Sequence, residues 1–171
     1  CFASSVLICI PLAFYYQNTN PFLVESGVGN PTGLMTLGQA SEVLFMLLLP
    51  VFLVPYGIKK TLLVGMLAWV VRYLMFAYGD ADARLFMLVT GIVLHGICYD
   101  FFFVSGQIYT DSKAGVANQS AAQGLITLAT YGVGMLVGFQ AAGLITDKFV
   151  VAGGHDWQNI WIYPALFAAA V

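Results

Sequence analysis

The chain has 171 residues, of which 60% are hydrophobic and only 8% are charged, and its mean hydropathy is +0.87. Soluble domains carry about 25% charged residues, so 6 basic and 8 acidic side chains are too few to cover a water-exposed exterior of this size. The composition therefore excludes an ordinary soluble protein and predicts that lipid surrounds most of the exterior. The net charge of −2 gives no sign of nucleic-acid binding.

Six apolar segments follow one another along the chain, separated by connectors rich in Gly, Pro, Asn and Asp. A spanning helix needs about 20 residues, and the first five segments reach or approach that length. We therefore predict an all-α membrane protein with six transmembrane helices, at approximately 1–24, 33–56, 61–78, 85–109, 117–146 and 160–171. Because the chain begins inside one apolar segment and stops inside another, we expect a fragment of a longer protein whose last helix is cut short.

Basic residues in short connectors indicate the orientation of the helices. Lys59 and Lys60 lie between the second and third segments, and Lys113 lies between the fourth and fifth. Cytoplasmic loops carry an excess of Lys and Arg, so we place these connectors, and the start of the first segment, on the cytoplasmic side.

The first segment ends in FYYQNTNPF, which is unusually polar for a membrane helix. Gln17 and Asn20 are three residues apart, on one helical face, just before Pro21. A helix broken at membrane depth is tolerated where it lines a cavity, and that interpretation makes both residues part of a binding site. The alternative is a polar cap at the end of the helix.

The second segment carries a carboxylate, Glu42, nine residues from its start and close to the membrane midplane. Gln39 lies on the same face, one turn before it. A charged side chain at this depth costs at least ~2.5–3.5 kcal/mol, so it faces a partner or a watery cavity. Glu42 is thus a proton carrier or a hydrogen-bonding group for a neutral polar substrate; the alternative is neutralisation by an arginine on a neighbouring helix.

The fourth segment offers two different faces in LHGICYDFFFVSGQ. His95 and Tyr99 are four residues apart, and their rings suit a wall for an aromatic ligand. Asp100 points about 100° away from Tyr99. Arg72, midway along the third segment, is the natural partner for Asp100, and such an ion pair makes Asp100 structural or part of a gate.

Small residues dominate the fifth segment, where Gly134 and Gly138 form a GxxxG pair. Close crossings of helices in lipid need such residues, so we predict tight packing there.

The sequence contains none of the common motifs that mark the catalytic or nucleotide-binding site of an enzyme. It lacks GxSxG, HExxH, a dinucleotide-binding glycine pattern and a phosphate loop. Cys1, Cys9 and Cys98 have no metal-ligand spacing. We therefore expect neither an enzyme nor a bound cofactor or metal.

Several motifs, in order, resemble the bacterial nucleoside–proton symporters of the major facilitator superfamily. They read LGQASE at 37–42, YGIKK at 56–60, AWVVRYLMFAYGD at 68–80 and GICYDFFFVSG at 96–106, followed by SAAQG at 120–124 and DWQNIW at 156–161. The resemblance covers nearly the whole chain. It implies a transporter of twelve helices in two halves, of which this chain is the C-terminal half, helices seven to twelve.

The resemblance also implies a function and a set of site residues. The function is proton-coupled nucleoside uptake by alternating access in the bacterial cytoplasmic (inner) membrane, with the N-terminal six-helix half and the lipid bilayer as partners. The implied substrate contacts are Gln17, Asn20, Gln39, Glu42, His95 and Tyr99, with Glu42 or Asp100 as the proton acceptor. His95 stands where the family has a tyrosine and Tyr99 where it has a phenylalanine, so the hydrogen-bond donors differ. A titrating histidine also allows pH dependence.

Two other functions fit the same residues. Amide, carboxylate and aromatic groups also suit a major facilitator transporter of another neutral polar solute, such as a sugar. In a non-transporting membrane receptor or scaffold, the polar residues merely pair between helices.

Overall fold

The computed structural model describes residues 2–171, so Cys1, where the first predicted segment begins, lies outside the described residues. Helices account for most of this range, and one short antiparallel hairpin precedes the last of them. The elements are α1 (Phe2–Glu25), α2 (Pro31–Tyr78), α3 (Leu85–Tyr99), α4 (Ser105–Ala114), α5 (Gln119–Thr127), α6 (Met135–Lys148), β1 (Val150–Val151), β2 (Gly154–His155) and α7 (Trp157–Ala170).

Two segments of π-helix join shorter helices into long ones. Asp100–Val104 connects α3 to α4, and Leu128–Gly134 connects α5 to α6. A short 3₁₀ turn, Val116–Asn118, also leads directly into α5. The resulting long helices, Leu85–Ala114 and Val116–Lys148, contain 30 and 33 residues. Together with α2, they make three helices among residues 2–171 that are long and apolar enough to span a membrane. The predicted helical architecture is therefore confirmed, and three of its helices meet the length and hydropathy of a membrane span.

Helix α2 is a hairpin folded at one residue. As a straight rod its 48 residues would extend about 72 Å, more than twice the thickness of the hydrocarbon core. Gly38, near its start, lies against Ile92 of α3, and Phe76, near its end, lies against the adjacent Gly91. Gly57 is midway between them and has non-helical angles, φ 73° and ψ 167°. The first arm (31–56) and the second arm (58–78) therefore run antiparallel.

The connector between these arms is shorter than the sequence predicts. The predicted segments 33–56 and 61–78 leave a turn over four residues, but the helical backbone continues through Lys59 and Lys60. Glycine readily adopts positive φ, so a single residue reverses the chain without an intervening loop.

Aromatic side chains form the core between α1, the second arm and α7. The ring of Trp161 stacks on Tyr73 at 5.6 Å and also contacts Phe76 and Phe22. The hydroxyl of Tyr73 donates a hydrogen bond to the carbonyl of Pro11 in α1. Such ring pairs add about 0.5–1.5 kcal/mol each beyond their buried area, so this cluster fixes the relative positions of three helices.

The predicted GxxxG contact is confirmed, and its partner is α1. A Cβ atom at Gly138 would lie 2.7 Å from the Cβ of Ala13, and one at Gly134 would lie 2.9 Å from the Cβ of Cys9. Only glycine leaves room for the two backbones at this distance.

A cluster of three side chains, here called the Glu25 cluster (Glu25, His155 and Trp157), ties the end of α1 to the hairpin and to α7. The carboxylate of Glu25 accepts hydrogen bonds from the backbone N–H of His155 at 3.0 Å and from the indole Nε1 of Trp157 at 2.8 Å. The ring Nδ1 of His155 lies 2.8 Å from the same carboxylate. Partial burial raises the pKa of Glu25, but the hydrogen bonds from His155 and Trp157 outweigh it and leave that pKa below its usual value.

Large apolar side chains cover much of the outer surface. Leu47, Val54 and Leu144 are each more than 70% exposed. An exterior of this kind fits a hydrocarbon solvent.

Candidate functional site

The centre of the site is a fully buried arginine. Arg72, on the second arm of α2, is 0% exposed, and its guanidinium carbon lies 3.6 Å from the ring centroid of Tyr15 in α1. Its Nη1 lies 2.9 Å from Nδ1 of His95 in α3. A buried charge is costly unless it is paired or hydrogen-bonded, and the aromatic face and the imidazole both stabilise this one.

His95 connects Arg72 to the carboxylate that the sequence singles out. The imidazole is 4% exposed and stacks on Tyr15 at 4.8 Å between ring centroids. Its other nitrogen, Nε2, lies 3.8 Å from Oε2 of Glu42, whose side chain is 28% exposed. A buried Arg72–His95 pair thus leads outward to a half-exposed carboxylate.

A close approach of two helices places Glu42 beside His95. A Cβ atom at Gly96 would lie only 2.5 Å from the carbonyl oxygen of Ser41. The N–H of Gly96 donates a hydrogen bond to the hydroxyl of Ser41 at 3.2 Å. Without a side chain at Gly96, the first arm of α2 packs directly against α3, and the residues next to this contact face each other.

The predicted ion pair between Arg72 and Asp100 is absent, and this is a correction. None of the ion pairs found among residues 2–171 joins these two side chains. Arg72 is level with His95, whereas Asp100 lies five residues, about 7.5 Å, further along the helix. Asp100 is fully buried, and neither carboxylate oxygen has a hydrogen-bond partner within the described part of the chain.

The polar residues of α1 lie within a continuous helix. The expected break or helix end at Pro21 does not occur, because α1 continues to Glu25. Gln17 and Asn20 are both exposed. Neither residue is a helix cap, so the cap interpretation is wrong.

The exposed polar residues of α1 and of the first arm adjoin one another. The amide of Asn20 lies 3.9 Å from the sulfur of Met35, and Gln39 and Glu42 follow Met35 along the same face. We call Gln17, Asn20, Gln39 and Glu42 the polar face. No hydrogen bond among residues 2–171 joins Gln17, Asn20 or Gln39 directly to His95 or Tyr99.

Sequence reasoning missed two tyrosines next to this face. The exposed ring of Tyr16 meets His95 edge-on at 6.4 Å. The hydroxyl of Tyr131 is hydrogen-bonded to that of Tyr99. Tyr99 directly precedes one π-segment and Tyr131 lies inside the other, and π-segments are frequent at functional sites. The only signal for Tyr131 in the sequence is a large polar ring among small residues.

This arrangement can bind an uncharged polar molecule. The polar face supplies amide donors and acceptors and one carboxylate, and Tyr16, Tyr99 and His95 supply rings. Exposed polar groups at membrane depth need a water-filled cavity or a protein partner. The arrangement contains no group of three or more His, Cys, Asp or Glu side chains that could hold a metal, as far as residues 2–171 are concerned.

Comparisons with known proteins agree on one kind of protein. A family model described as "Nucleoside H+ symporter" matches residues 1–171. The Escherichia coli protein YegT is 44% identical over 99% of this chain and 42% of its own length. The xanthosine permease of Escherichia coli is 37% identical over 87% of this chain and 36% of its own length.

The fold agrees as well. A crystal structure of the nucleoside transporter NupG has a TM-score of 0.83 and 28% sequence identity to this chain, covering 99% of this chain and 44% of that one. The chain spans less than half the length of the relatives it matches. These relatives are transport proteins, which confirms the expectation that the chain is not part of an enzyme.

Proposed function

Because the chain belongs to the nucleoside H+ symporter family, we propose that the protein carrying it takes up nucleosides together with protons across the bacterial cytoplasmic (inner) membrane. In this proposal the chain forms six membrane crossings: α1, the two arms of α2, Leu85–Ala114, Val116–Lys148 and α7. They make up the C-terminal half of a twelve-helix major facilitator transporter. The N-terminal half is the partner that closes the cavity, and lipid surrounds both halves.

The polar face is the observation that carries the proposal. Its amides are exposed and its carboxylate is partly exposed, in a chain whose exposed large side chains are mostly apolar. A lipid-facing position would make such groups costly, whereas a central cavity between two halves hydrates them. Substrate sites of such transporters lie near the midplane, at the interface of the repeats.

The substrate contacts follow from the chemistry of a nucleoside, which is uncharged and has a flat base and a hydroxyl-rich ribose. Tyr99 and His95 flank the base with their rings. Gln17, Asn20, Gln39 and Glu42 hydrogen-bond the base edge or the ribose and replace the water lost on entry. Rocking of one half against the other then alternates the access to this site.

The proton gradient supplies the energy for accumulation. One charge moved through 100 mV is worth about 2.3 kcal/mol, which corresponds to about 50-fold accumulation. We propose Glu42 as the proton acceptor, because its half-exposed side chain can reach the cavity. Asp100 is the second candidate, since its carboxylate is buried without a hydrogen-bond partner in the described range.

Uptake of labelled nucleoside tests the proposal. The full-length protein is reconstituted in energised vesicles, with and without a protonophore, as wild type, as Glu42→Gln and as Asp82→Asn. The last variant is a matched control, because Asp82 is an exposed carboxylate in the connector between α2 and α3. We expect protonophore-sensitive accumulation by wild type and Asp82→Asn, and only equilibration by Glu42→Gln.

Other outcomes identify which part of the proposal fails. Accumulation by Glu42→Gln with weaker affinity would make Glu42 a binding residue and assign the proton to Asp100 or to the other half. If wild type moves no nucleoside, the substrate is wrong, and a competition panel of sugars comes next. If it moves no solute at all, a receptor or scaffold remains.

A further inference from the structure

The hydrogen bond between Arg72 and His95 determines where the imidazole proton is. A guanidinium has five N–H donors and no acceptor. Its Nη1 lies 2.9 Å from Nδ1 of His95, so Nδ1 must be the acceptor and cannot carry a hydrogen. In a neutral imidazole, the proton therefore lies on Nε2.

The same contact disfavours a charged imidazole. An imidazolium carries N–H on both nitrogens, which would set two donors of equal charge against each other at 2.9 Å. Glu42 is the opposing influence, but at 3.8 Å its carboxylate is further away and beyond hydrogen-bond length. The other ionisable groups that contact the ring are Tyr15 and Tyr16 of α1 and Tyr99 of α3. Cys98 and Asp100 follow three and five residues after His95 along the same long helix. None of these lies between Arg72 and Nδ1.

We propose that Arg72 is a positioning residue that holds His95 as a neutral imidazole with its proton on Nε2. His95 is then a fixed hydrogen-bond donor beside the acceptor Glu42, and it is not a proton carrier. A ligand that binds both groups must present a hydrogen-bond acceptor to Nε2–H of His95 and, next to it, a donor to Glu42. The edge of an uncharged polar molecule can present such a pair. The ligand part of this inference rests on the proposed function; the protonation state does not.

Nitrogen NMR on the full-length protein in lipid vesicles tests the protonation state directly. Histidine is labelled with ¹⁵N, and the His95 signals are identified by their loss in His95→Gln. We expect Nδ1 to be unprotonated and Nε2 protonated, without change between about pH 5 and 8, where a free histidine titrates. A proton on Nδ1, or titration of His95 within this range, would overturn the proposal.

Two variants of Arg72 separate a positioning role from a structural one. Arg72→Lys retains a cationic donor and should retain the Nε2–H form, whereas Arg72→Met should release His95 to a mixture of tautomers. If Arg72→Met changes nothing in a folded protein, the assigned role of Arg72 is wrong. If that variant does not fold, the wild-type spectrum still decides the protonation state.

Transport measurements with two variants of His95 test the donor role. The amide oxygen of His95→Asn can replace Nδ1 as the acceptor for Arg72, but nothing replaces Nε2. The amide nitrogen of His95→Gln can reach the Nε2 position. Loss of one hydrogen bond corresponds to up to about a tenfold change in affinity. We therefore expect the KM for nucleoside to rise about tenfold in His95→Asn and clearly less in His95→Gln.

The outcomes distinguish the inference from the proposed function. Equal KM values for both variants would overturn the donor role. Failure of every variant and of wild type to move nucleosides would refute the proposed function, while the NMR result would still stand or fall on its own.

Discussion

The one-residue reversal of α2 makes a quantitative prediction for Gly57. Its φ of 73° and ψ of 167° lie in a region that is essentially restricted to glycine, where another residue costs about 1–3 kcal/mol. A Cβ atom at this position would meet nothing within 4 Å. Gly57→Ala therefore isolates backbone strain from steric conflict, and we expect the free energy of unfolding to fall by about 1–3 kcal/mol.

Gly106 provides the matched control. A Cβ atom there also meets nothing within 4 Å, but the backbone is that of helix α4. Alanine is favoured over glycine in a helix by about 1 kcal/mol, so Gly106→Ala should be neutral or stabilising. The two substitutions add the same methyl group, and only the backbone conformation differs.

Thermal unfolding in detergent, followed with a thiol-reactive dye, measures both variants. Cys9 and Cys98 are buried free thiols and become reactive when the helices separate. A change of 1 kcal/mol shifts Tm by about 2–4 °C in a chain of this size, so Gly57→Ala should unfold several degrees below wild type. Equal Tm values for Gly57→Ala and wild type would refute the argument that the turn requires glycine.

Two further predictions concern polar contacts. Hydrogen bonds lower the pKa of Glu25, so their stabilisation is present above its usual pKa of 4.5 and is lost as the pH falls below that value. Wild type should therefore lose more stability than Glu25→Gln between neutral pH and about pH 3 in thermal unfolding; an equal loss in both would contradict this. Tyr99→Phe and Tyr131→Phe remove the same hydroxyl contact, so their effects on nucleoside KM should be non-additive in the double variant. Additive effects would show that the two hydroxyl groups act separately.

Composition and ordered motifs were enough to predict the class and the family. Few charges and long apolar runs leave lipid as the only reasonable solvent, and these features do not depend on tertiary contacts. The family was inferred from motifs spread over nearly the whole chain, and the comparisons confirm it. The expectation of a GxxxG contact also held, because close backbone packing in lipid has few alternatives to glycine.

The partner of Arg72 could not be predicted, because it depends on how far the second arm of α2 and α3 are shifted relative to each other along their axes. Charge alone favours Asp100, because it is the one acidic residue in the predicted fourth segment. The fold of α2 at Gly57 instead sets Arg72 level with His95. A shift of about one and a half helical turns along the helix axis exchanges one partner for the other, and no sequence pattern fixes the relative axial positions of two helices to that accuracy.

The sequence pattern wrongly predicts that α1 breaks or ends at Pro21. Asn and Pro are common at helix ends, and a single sequence gives no means of weighing that tendency against tertiary packing. Here Phe22 and Leu23 are buried directly after Pro21, and their burial stabilises the last turn despite the proline. The roles proposed for Gln17 and Asn20 remain predictions.

The Glu25 cluster has a consequence for biosynthesis. Its hydrogen bonds join residues 130 positions apart, and the chain is synthesised at about 5–20 residues per second. His155 and Trp157 are therefore synthesised on the order of 10 s after Glu25. During that interval α1 lacks both these bonds and its packing against Trp161. α1 is made before the other helices of this chain and is thus among the last of them to reach its final position.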